Sequence, residues 1–157
     1  MYPVEGERSI DIAAPPERVW ALVADVSRMG EWSPHTVQAE WVDAGQGDGP
    51  TVGRRFRGTN RLPVVQRWTS TATITACDPG RRFAFAVGKN PDDPNTLWSY
   101  DFEAAPAGTR VTERWHMLRE PAIVLLYYRL INQRTRLARG VEETLRRLKT
   151  AAEAQSS

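Results

Sequence analysis

Residues 96–117, TLWSYDFEAAPAGTRVTERWHM, contain two segments that alternate between apolar and polar residues and are joined by a short turn. Thr96 to Ala104 and Thr109 to Met117 have the two-residue period of half-buried strands, and the turn at 105–108 contains a proline and a glycine. The sequence therefore predicts a β-hairpin here. Because residues two apart share a face, the bulky apolar side chains of both strands are predicted to point to one side of the sheet.

The same alternation continues on the N-terminal side of this hairpin. Tight turns and glycine-rich or proline-rich loops separate the alternating segments, as expected for strands that follow one another in an antiparallel meander. The segments are Thr36–Val42, Gly53–Asn60, Val64–Cys77 and Arg82–Val87. With the hairpin they predict one antiparallel sheet.

Helical patterns flank the meander on both sides. A first strand at Ser9–Ile12 precedes Pro15 and Pro16, which favour a helix start, and a second short helical turn is predicted to end before Ser33. At the C-terminus the helical spacing predicts a helix from Pro121, roughly 40 Å long, with an apolar face formed by Ile123, Tyr127, Leu130, Leu137, Val141, Leu145 and Leu148.

These elements predict an α+β fold in which a curved antiparallel sheet wraps around one long C-terminal helix, with two short helices between strands 1 and 2. A chain of 157 residues is long enough for one domain with a full core. We therefore predict a single ligand-binding domain over residues 1–150. The small polar residues 151–157 are predicted to form a frayed C-terminal tail.

Four motifs carry a resemblance to a known superfamily: IDIAAPPERVW at 10–20, DVSR through EWSP at 25–34, DPGR at 78–81 and GTRVTERW at 108–115. With the order of elements, they resemble the helix-grip fold of the START-like superfamily (SRPBCC). That superfamily includes Bet v 1-like proteins and the polyketide cyclase/dehydrase and lipid-transport group. The resemblance covers nearly the whole chain and implies an internal cavity between the sheet and the C-terminal helix.

The inward phase of the strands and the helix supplies the candidate ligand-binding residues. Small-molecule sites usually have apolar walls with a few polar groups that orient the ligand, and this set has that composition. Its members are Phe56, Asn60, Trp68, Phe83, Phe85, Trp98, Tyr100, Glu113, Trp115, Tyr127, Leu130 and Arg134. Trp32 is a further candidate from the segment Met29–Pro34, which we predict to act as part of the gate. The periodicity alone is equally compatible with a solid core in which the polar groups satisfy one another.

Two charges interrupt the apolar phase. Glu113 lies in phase with Trp115 on a strand, and Arg134 lies near the centre of the apolar face of the last helix. An unpaired buried carboxylate is costly, so we predict that the two side chains meet. The pair would either fix the register of the helix or orient a ligand; the remaining alternative is that Arg134 extends to solvent.

The function implied by the resemblance is binding of a hydrophobic small molecule, such as a lipid, polyketide or isoprenoid, by a carrier or sequestering protein. The alternative is a polyketide aromatase or cyclase that uses the same cavity, with Glu113 and Tyr100 as its acid or base groups and His35 as a further candidate. A binding protein is favoured over an enzyme. A third class, a co-chaperone-like or toxin–antitoxin-like interaction module, would need an apolar outer patch that the outward phase does not supply.

Composition limits the partners. Lys and Arg number 21 against 19 Asp and Glu, so the net charge of +2 does not favour nucleic acid. No apolar run reaches the roughly 20 residues needed to span a bilayer, although arginines on the last helix would allow transient membrane contact. The residues 1–11 lack the apolar region of a signal peptide, which favours a cytoplasmic protein.

Metal and cofactor chemistry has no signature in the sequence. The single cysteine, Cys77, has no local partner at metal-ligand spacing, and the glycine-rich loop at 45–50 lacks the lysine of a phosphate loop. No glycine-flanked nucleophile is found. We therefore predict no metal and no cofactor. For the oligomeric state, a monomer or a homodimer is predicted.

Overall fold

The computed structural model describes residues 4–42, 47, 49–62, 65–119, 126, 129–130 and 132–154. Within these ranges the side chains of residues 4, 62, 65, 66, 133 and 134 are not described. The α+β fold with a helix-grip arrangement is confirmed: one antiparallel sheet curves around a C-terminal helix, and two short helices lie between the first two strands. No helix in the described ranges has the length and apolar character needed to cross a membrane.

The described strands form one antiparallel sheet in the order β1-β7-β6-β5-β4-β3-β2. Its strands are β1 Val4–Ile12, β2 Thr36–Trp41, β3 Arg55–Leu62, β4 Val65–Asp78, β5 Arg82–Val87, β6 Thr96–Ala105 and β7 Gly108–Met117. The helices are α1 Pro16–Ala24, a 3-10 turn Val26–Arg28, α2 Met29–Trp32 and α3 Gln133–Ala154. Only β1 departs from sequence order, since it pairs with the last strand and makes that edge of the sheet.

The register of the hairpin confirms the predicted inward phase. Trp98 lies opposite Trp115, and Tyr100 lies opposite Glu113. Directly opposite residues of an antiparallel pair point to the same face, so these four side chains share the concave side. Tyr100, Glu113 and Trp115 are all buried.

Irregular register curves the sheet toward the helix. Shifts occur between β2 and β3, at the end of the β3–β4 pair, and between β4 and β5 after Ile74. Such bulges bend the bulged strand and increase its twist. The bent sheet therefore has a concave face, which α3 covers.

α3 runs alongside the edge strand β1. Arg8 Nε donates to Glu142 Oε1 at 2.9 Å, Lys149 Nζ donates to the Asp11 carbonyl at 2.8 Å, and the Ala13 amide donates to Glu153 Oε1 at 3.0 Å. From the first of these contacts to the last, the strand side advances by five residues and α3 by eleven. Both distances are about 16 Å, so the strand and the helix run in parallel over these contacts. Counted back from the Arg8–Glu142 contact with the same rise per residue, Gly6 of β1 lies about level with Ala138 of α3.

The C-terminal helix differs from its prediction at both ends. Asn132 has φ +53°, a left-handed conformation that interrupts a right-handed helix, so one continuous helix from Pro121 is wrong. At the other end α3 continues to Ala154, and Ala152 is fully buried. Residues 151–154 are therefore helical where a frayed tail was predicted, with Ala152 packed into the core, and residues 155–157 lie outside the described ranges.

The first helix closes one end of the interior. Pro16 occupies the first turn of α1, and Val19 is fully buried. The Thr109 hydroxyl donates to the Ala14 carbonyl at 2.6 Å, which joins the β6–β7 turn to the segment before α1. Trp20 Nε1 donates to the Arg82 carbonyl at 2.9 Å on β5. This end is held by both packing and hydrogen bonds.

Candidate functional site

A buried carboxyl–phenol pair lies on the concave face of the sheet. The Tyr100 hydroxyl on β6 donates to Glu113 Oε1 on β7 at 2.7 Å. Glu113 is 3% exposed and Tyr100 is 7% exposed. Glu113 Oε2 is also buried and has no hydrogen-bond partner among the described residues. The pair thus leaves one carboxyl oxygen unused.

Burial sets the protonation state of this pair. Removal from water raises the pKa of Glu113 from its ordinary value of 4.5 to about 8, against the smaller opposing effect of the Tyr100 hydrogen bond. Burial, and then the neighbouring Glu113, raise the pKa of Tyr100 well above its ordinary value. At neutral pH both groups therefore keep their protons, and Glu113 is a neutral acid.

Aromatic side chains adjoin the pair in the next row across the sheet. The register brings Trp115, Trp98 and Phe85 side by side on β7, β6 and β5. The indole of Trp115 extends over β1, where Gly6 lies opposite: a Cβ added at residue 6 would come within 2.3 Å of Trp115 Cζ2. Gly6 therefore provides the space for the ring. Trp115 Nε1 is buried, with no hydrogen-bond partner in the described part of the chain.

A second polar group lies on the same concave face, near the other edge of the sheet. Thr36 Oγ1 donates to Asn60 Oδ1 at 3.0 Å, and Asn60 Nδ2 donates to Ser70 Oγ at 2.8 Å. These residues belong to β2, β3 and β4. Since adjacent strands are about 4.8 Å apart, Asn60 lies roughly 19 Å from Glu113 along the sheet, four strands away. The two polar groups are therefore separate ends of the concave face.

α3 covers the concave face with an apolar stripe at helical spacing. The buried members of this stripe are Leu137, Ala138, Val141, Thr144, Leu145, Leu148 and Ala152. Opposite Glu113 on the edge strand is Arg8, whose guanidinium is bound to Glu142 of α3. This ion pair joins helix and sheet at the level of the carboxyl–phenol pair.

The comparison with protein families agrees with this architecture. The model of the polyketide cyclase/dehydrase and lipid transport family matches residues 3–153. This chain belongs to that family. A search among curated proteins gives no significant match.

Several solved structures have a similar fold. The Polyketide_cyc-like protein Cgl2372 of Corynebacterium glutamicum is 30% identical, with a TM-score of 0.67 over 99% of this chain and 95% of that one. Protein Ms6760 of Mycobacterium smegmatis is 22% identical, with a TM-score of 0.67 over 98% of this chain and 93% of its own. The di-domain ARO/CYC protein StfQ of the steffimycin biosynthetic pathway is 15% identical, with a TM-score of 0.74 over 98% of this chain and 51% of StfQ. The last two similarities show the fold alone.

In this member of the polyketide cyclase/dehydrase and lipid transport family, most of the site residues predicted from the sequence lie on the strands that form the concave face. The register places Phe83 beside Tyr100. Phe85 contacts Phe56 edge to face, with ring centroids 5.2 Å apart. Asn60 lies beside Trp68, which is 41% exposed.

The predicted site residues outside the sheet are less uniform in position. Trp32 is 3% exposed on α2, with the Arg28 guanidinium 5.3 Å from its ring centroid. Leu130 is 77% exposed and precedes the left-handed residue Asn132, outside α3. Tyr127 and the side chain of Arg134 lie outside the described residues, so the Glu113–Arg134 contact stays a prediction.

Sequence reasoning missed the contact of α3 with the segment after α2. A Cβ added at Gly140 would come within 2.8 Å of His35 Nε2, so the imidazole lies directly against the helix backbone. Burial, and then the charge of Arg136, lower the pKa of His35. The signal was available, since a glycine in the middle of a helix usually has a packing reason.

A shallow recess of about 500 Å³ lies on the opposite, convex face of the sheet. Most of its lining belongs to the outward phase of β1, β7, β6, β5 and β4, such as Ala84 and Ser99, but Leu97, Phe85, Trp98 and Trp115 also border it. Its two arginines are already paired: Arg114 with Glu7 and Asp101, and Arg82 with Asp101 at 2.9 Å.

No cluster of three His, Cys, Asp or Glu side chains that could bind a metal ion occurs within the described ranges.

Proposed function

We propose that this protein binds a hydrophobic small molecule between the concave face of the sheet and α3, as a carrier or sequestering protein. The observation that carries the proposal is the neutral Tyr100–Glu113 pair, which is buried beside a row of aromatic rings and leaves one carboxyl oxygen without a described partner. An apolar surround with a few polar groups is the usual composition of a small-molecule site. Lipids, polyketides and isoprenoids have the matching chemistry.

Binding energy would come chiefly from burial of the ligand. Each Å² of apolar surface removed from water contributes roughly 25 cal/mol, so an apolar body is bound without charged contacts. The row of Trp115, Trp98 and Phe85 would hold this body, with Glu113 at one side and Asn60 at the other. We keep all thirteen predicted residues as candidates for ligand contact: Trp32, Phe56, Asn60, Trp68, Phe83, Phe85, Trp98, Tyr100, Glu113, Trp115, Tyr127, Leu130 and Arg134.

Two measurements test binding directly. Native mass spectrometry of freshly purified protein, followed by extraction, should detect a co-purified apolar molecule. Titration with N-phenyl-1-naphthylamine, a neutral dye that fluoresces in apolar sites, should saturate at one dye per chain. Absence of both signals would contradict the proposal.

A blocking variant locates the site. Ala138 is 9% exposed and lies about level with Gly6 and its partner Trp115, so Ala138→Trp should place an indole against the aromatic row and prevent dye binding there. Ala154→Trp is the matched control, since Ala154 is exposed near the end of the same helix. Circular dichroism checks that both variants fold. Ala138→Leu serves the same purpose if the larger side chain is not accepted.

Aromatase or cyclase activity is the second candidate, and the protonation of Glu113 favours it. An acid with a pKa of about 8 holds its proton at neutral pH and can transfer it to a bound substrate. Tyr100 would position that acid through its hydrogen bond. Turnover of a poly-β-keto substrate that is lost in Glu113→Gln, with dye binding retained, would support catalysis over simple binding.

Location and assembly remain predictions. A cytoplasmic protein, as a monomer or homodimer with transient membrane contact, fits the proposed carrier. Fractionation of cells and analytical ultracentrifugation would test these two points.

A further inference from the structure

The residues that join α2 to β2 are enclosed between two glycines of other turns of the chain. A Cβ added at Gly140 of α3 would come within 2.8 Å of His35 Nε2, and one added at Gly30 of α2 within 2.4 Å of the Val37 carbonyl oxygen. Neither position has room for a larger residue unless a neighbour moves. Residues 33–37, which we call the connecting segment, therefore pack closely against α2 and α3.

The backbone of the connecting segment is fixed to the sheet. The Arg61 amide of β3 donates to the His35 carbonyl at 2.8 Å, and the Thr36 amide donates to Ser33 Oγ at 3.1 Å. The backbone of His35 thus moves with β3. Its imidazole is the part of the connecting segment that lies nearest to Gly140.

α3 is held on two opposite flanks. Glu142, Lys149 and Glu153 bind the edge strand β1 and the residue that follows it. At about 100° per residue, Gly140 lies roughly 160° away from Glu142 around the helix axis. The His35 contact therefore holds the flank opposite to β1, and the buried stripe of α3 lies between the two flanks.

The imidazole of His35 is uncharged in this position. Burial, and then the positive charge of Arg136, lower the pKa of His35 below its ordinary value of 6.5. Within the described ranges His35 forms no ion pair with a carboxylate, unlike His116, which lies 3.8 Å from Glu5. Nothing described therefore compensates a charge on this ring.

The other charges around the connecting segment do not change this. Glu31 of α2 is bound to Arg28, and Glu143 of α3 is bound to Arg146 and Arg147. The charged residues of α2, β2, β3 and α3 nearest to His35 along these elements are Arg28, Glu31, Glu40, Arg61, Arg136, Arg139 and Glu143. A proton therefore binds more readily once the ring has left Gly140 for water, so acid favours the state in which this contact is broken.

We propose that His35 and Gly140 form a pH-sensitive latch: the neutral imidazole holds α3 over the concave face, and protonation releases this flank of the helix. Release opens the interior between α3 and the connecting segment. The inference goes beyond the proposed function, because the latch operates with or without a ligand. It also supplies a trigger for the neighbouring segment Met29–Pro34, which the sequence predicts to be part of the gate.

Amide hydrogen exchange of the free protein, followed by NMR, tests the latch without a ligand. Protection of residues 137–145 should fall severalfold between about pH 7.5 and 5, the range in which histidines titrate. One proton limits this fall to about tenfold per pH unit. Residues 146–154, which remain bound to the β1 side through Lys149 and Glu153, should keep their protection. An equal fall in both halves of α3 would overturn a local latch.

Variants of the two histidines assign the effect. His35→Phe keeps a ring that cannot be protonated, so the acid-dependent loss of protection should disappear; His35→Leu serves if the larger ring is not accepted. His116→Gln is the matched control, because these are the only two histidines and the His116 side chain is 41% exposed. It should behave as wild type. The same pH profile in wild type and both His35 variants would overturn the proposal.

The buried acid Glu113 cannot produce the expected result. Its pKa is raised to about 8 in the fold, so its contribution to stability is greatest at low pH. Global unfolding driven by this group would therefore increase exchange as pH rises. The latch predicts the opposite direction, and only for one half of α3.

Gly140→Ala tests the contact itself. The added methyl group should push the imidazole away from α3, although alanine is otherwise the better helix former. The His35 pKa, measured from its NMR titration, should then rise toward 6.5, and protection of residues 137–145 should lose its dependence on pH. A His35 pKa as low as in wild type would contradict the contact.

Dye release measures the effect of the latch on the interior. Dissociation of N-phenyl-1-naphthylamine should accelerate severalfold over the same pH range in wild type and His116→Gln, but not in His35→Phe. Release that is independent of pH, while exchange of α3 responds to acid, would overturn the opening of the interior. Absence of dye binding would contradict the proposed function, and the exchange data would then decide on the latch alone.

Discussion

The two ends of the interior are built from the same strands but are covered differently. At the end next to α1, which we call the closed end, Ile12, Phe83, Val111 and Leu148 are each 0% exposed. At the other end, the open end, Val87, Trp98 and Met117 point inward yet are only partly buried. Trp68 at this end is 41% exposed. The closed end therefore has the burial of a complete protein core, whereas the open end mixes these partly buried side chains with buried ones such as Phe56 and Ala72, which lie in the same row as Val87.

This difference separates stability from binding. Fully buried apolar side chains contribute most of the folding free energy, and partly buried ones can exchange solvent for a ligand. The Tyr100–Glu113 pair lies at the boundary, beside Phe83 of the closed end and one row from Trp98 of the open end. The site is therefore supported by a rigid core on one side.

The largest expected effect is at the closed end. Leu148→Ala should lower the free energy of unfolding by about 2–5 kcal/mol, because it leaves a cavity among fully buried neighbours. Met117→Ala, at the partly buried open end, should cost clearly less. Urea unfolding measures both, and equal losses would contradict the division into two ends.

Ionisation of Glu113 should make the stability depend on pH. Its pKa is 4.5 ordinarily and about 8 in the fold, so between these values the unfolded chain binds fewer protons than the folded one. Stability should fall as pH rises through this window, by at most about 1.4 kcal/mol per pH unit, and level off above it. Glu113→Gln should remove that slope. An identical slope in wild type and variant would show that the carboxyl group is not buried as described.

Gly6 tests how tightly Trp115 is packed. Gly6→Ala places a methyl group where the Trp115 ring now lies and should cost about 1–3 kcal/mol, with a change in tryptophan fluorescence. Gly58→Ala is the control on the same sheet, where the nearest atom is at an ordinary 3.5 Å. If both variants behave alike, the indole has room to move.

The smallest expected effect concerns the polar group on β2–β4. Ser70→Ala removes the acceptor of Asn60 Nδ2 at a partly buried site and should cost about 1 kcal/mol. Ser9→Ala removes one hydroxyl of the exposed Ser9–Thr112 contact and should change stability by less than about 0.5 kcal/mol. A reversal of this order would mean that solvent satisfies Asn60.

Local patterns predicted much of the sheet and part of the site. The alternation at 96–117 placed Tyr100, Glu113 and Trp115 on one face, because a strand has a fixed two-residue period. Helical spacing likewise identified the buried face of α3 from Leu137 to Leu148. It failed at Asn132, since apolar spacing does not report a left-handed residue that interrupts the helix.

Within the strands and within α3, the sequence by itself determined which side chains face inward, because that depends on periods of 2 and 3.6 residues along one element. Only the tertiary structure decided that Tyr100 donates to Glu113, that Gly6 makes room for Trp115 and that His35 packs on Gly140. These contacts join elements that are distant in sequence. Their geometry depends on strand register and sheet curvature, which no single element contains.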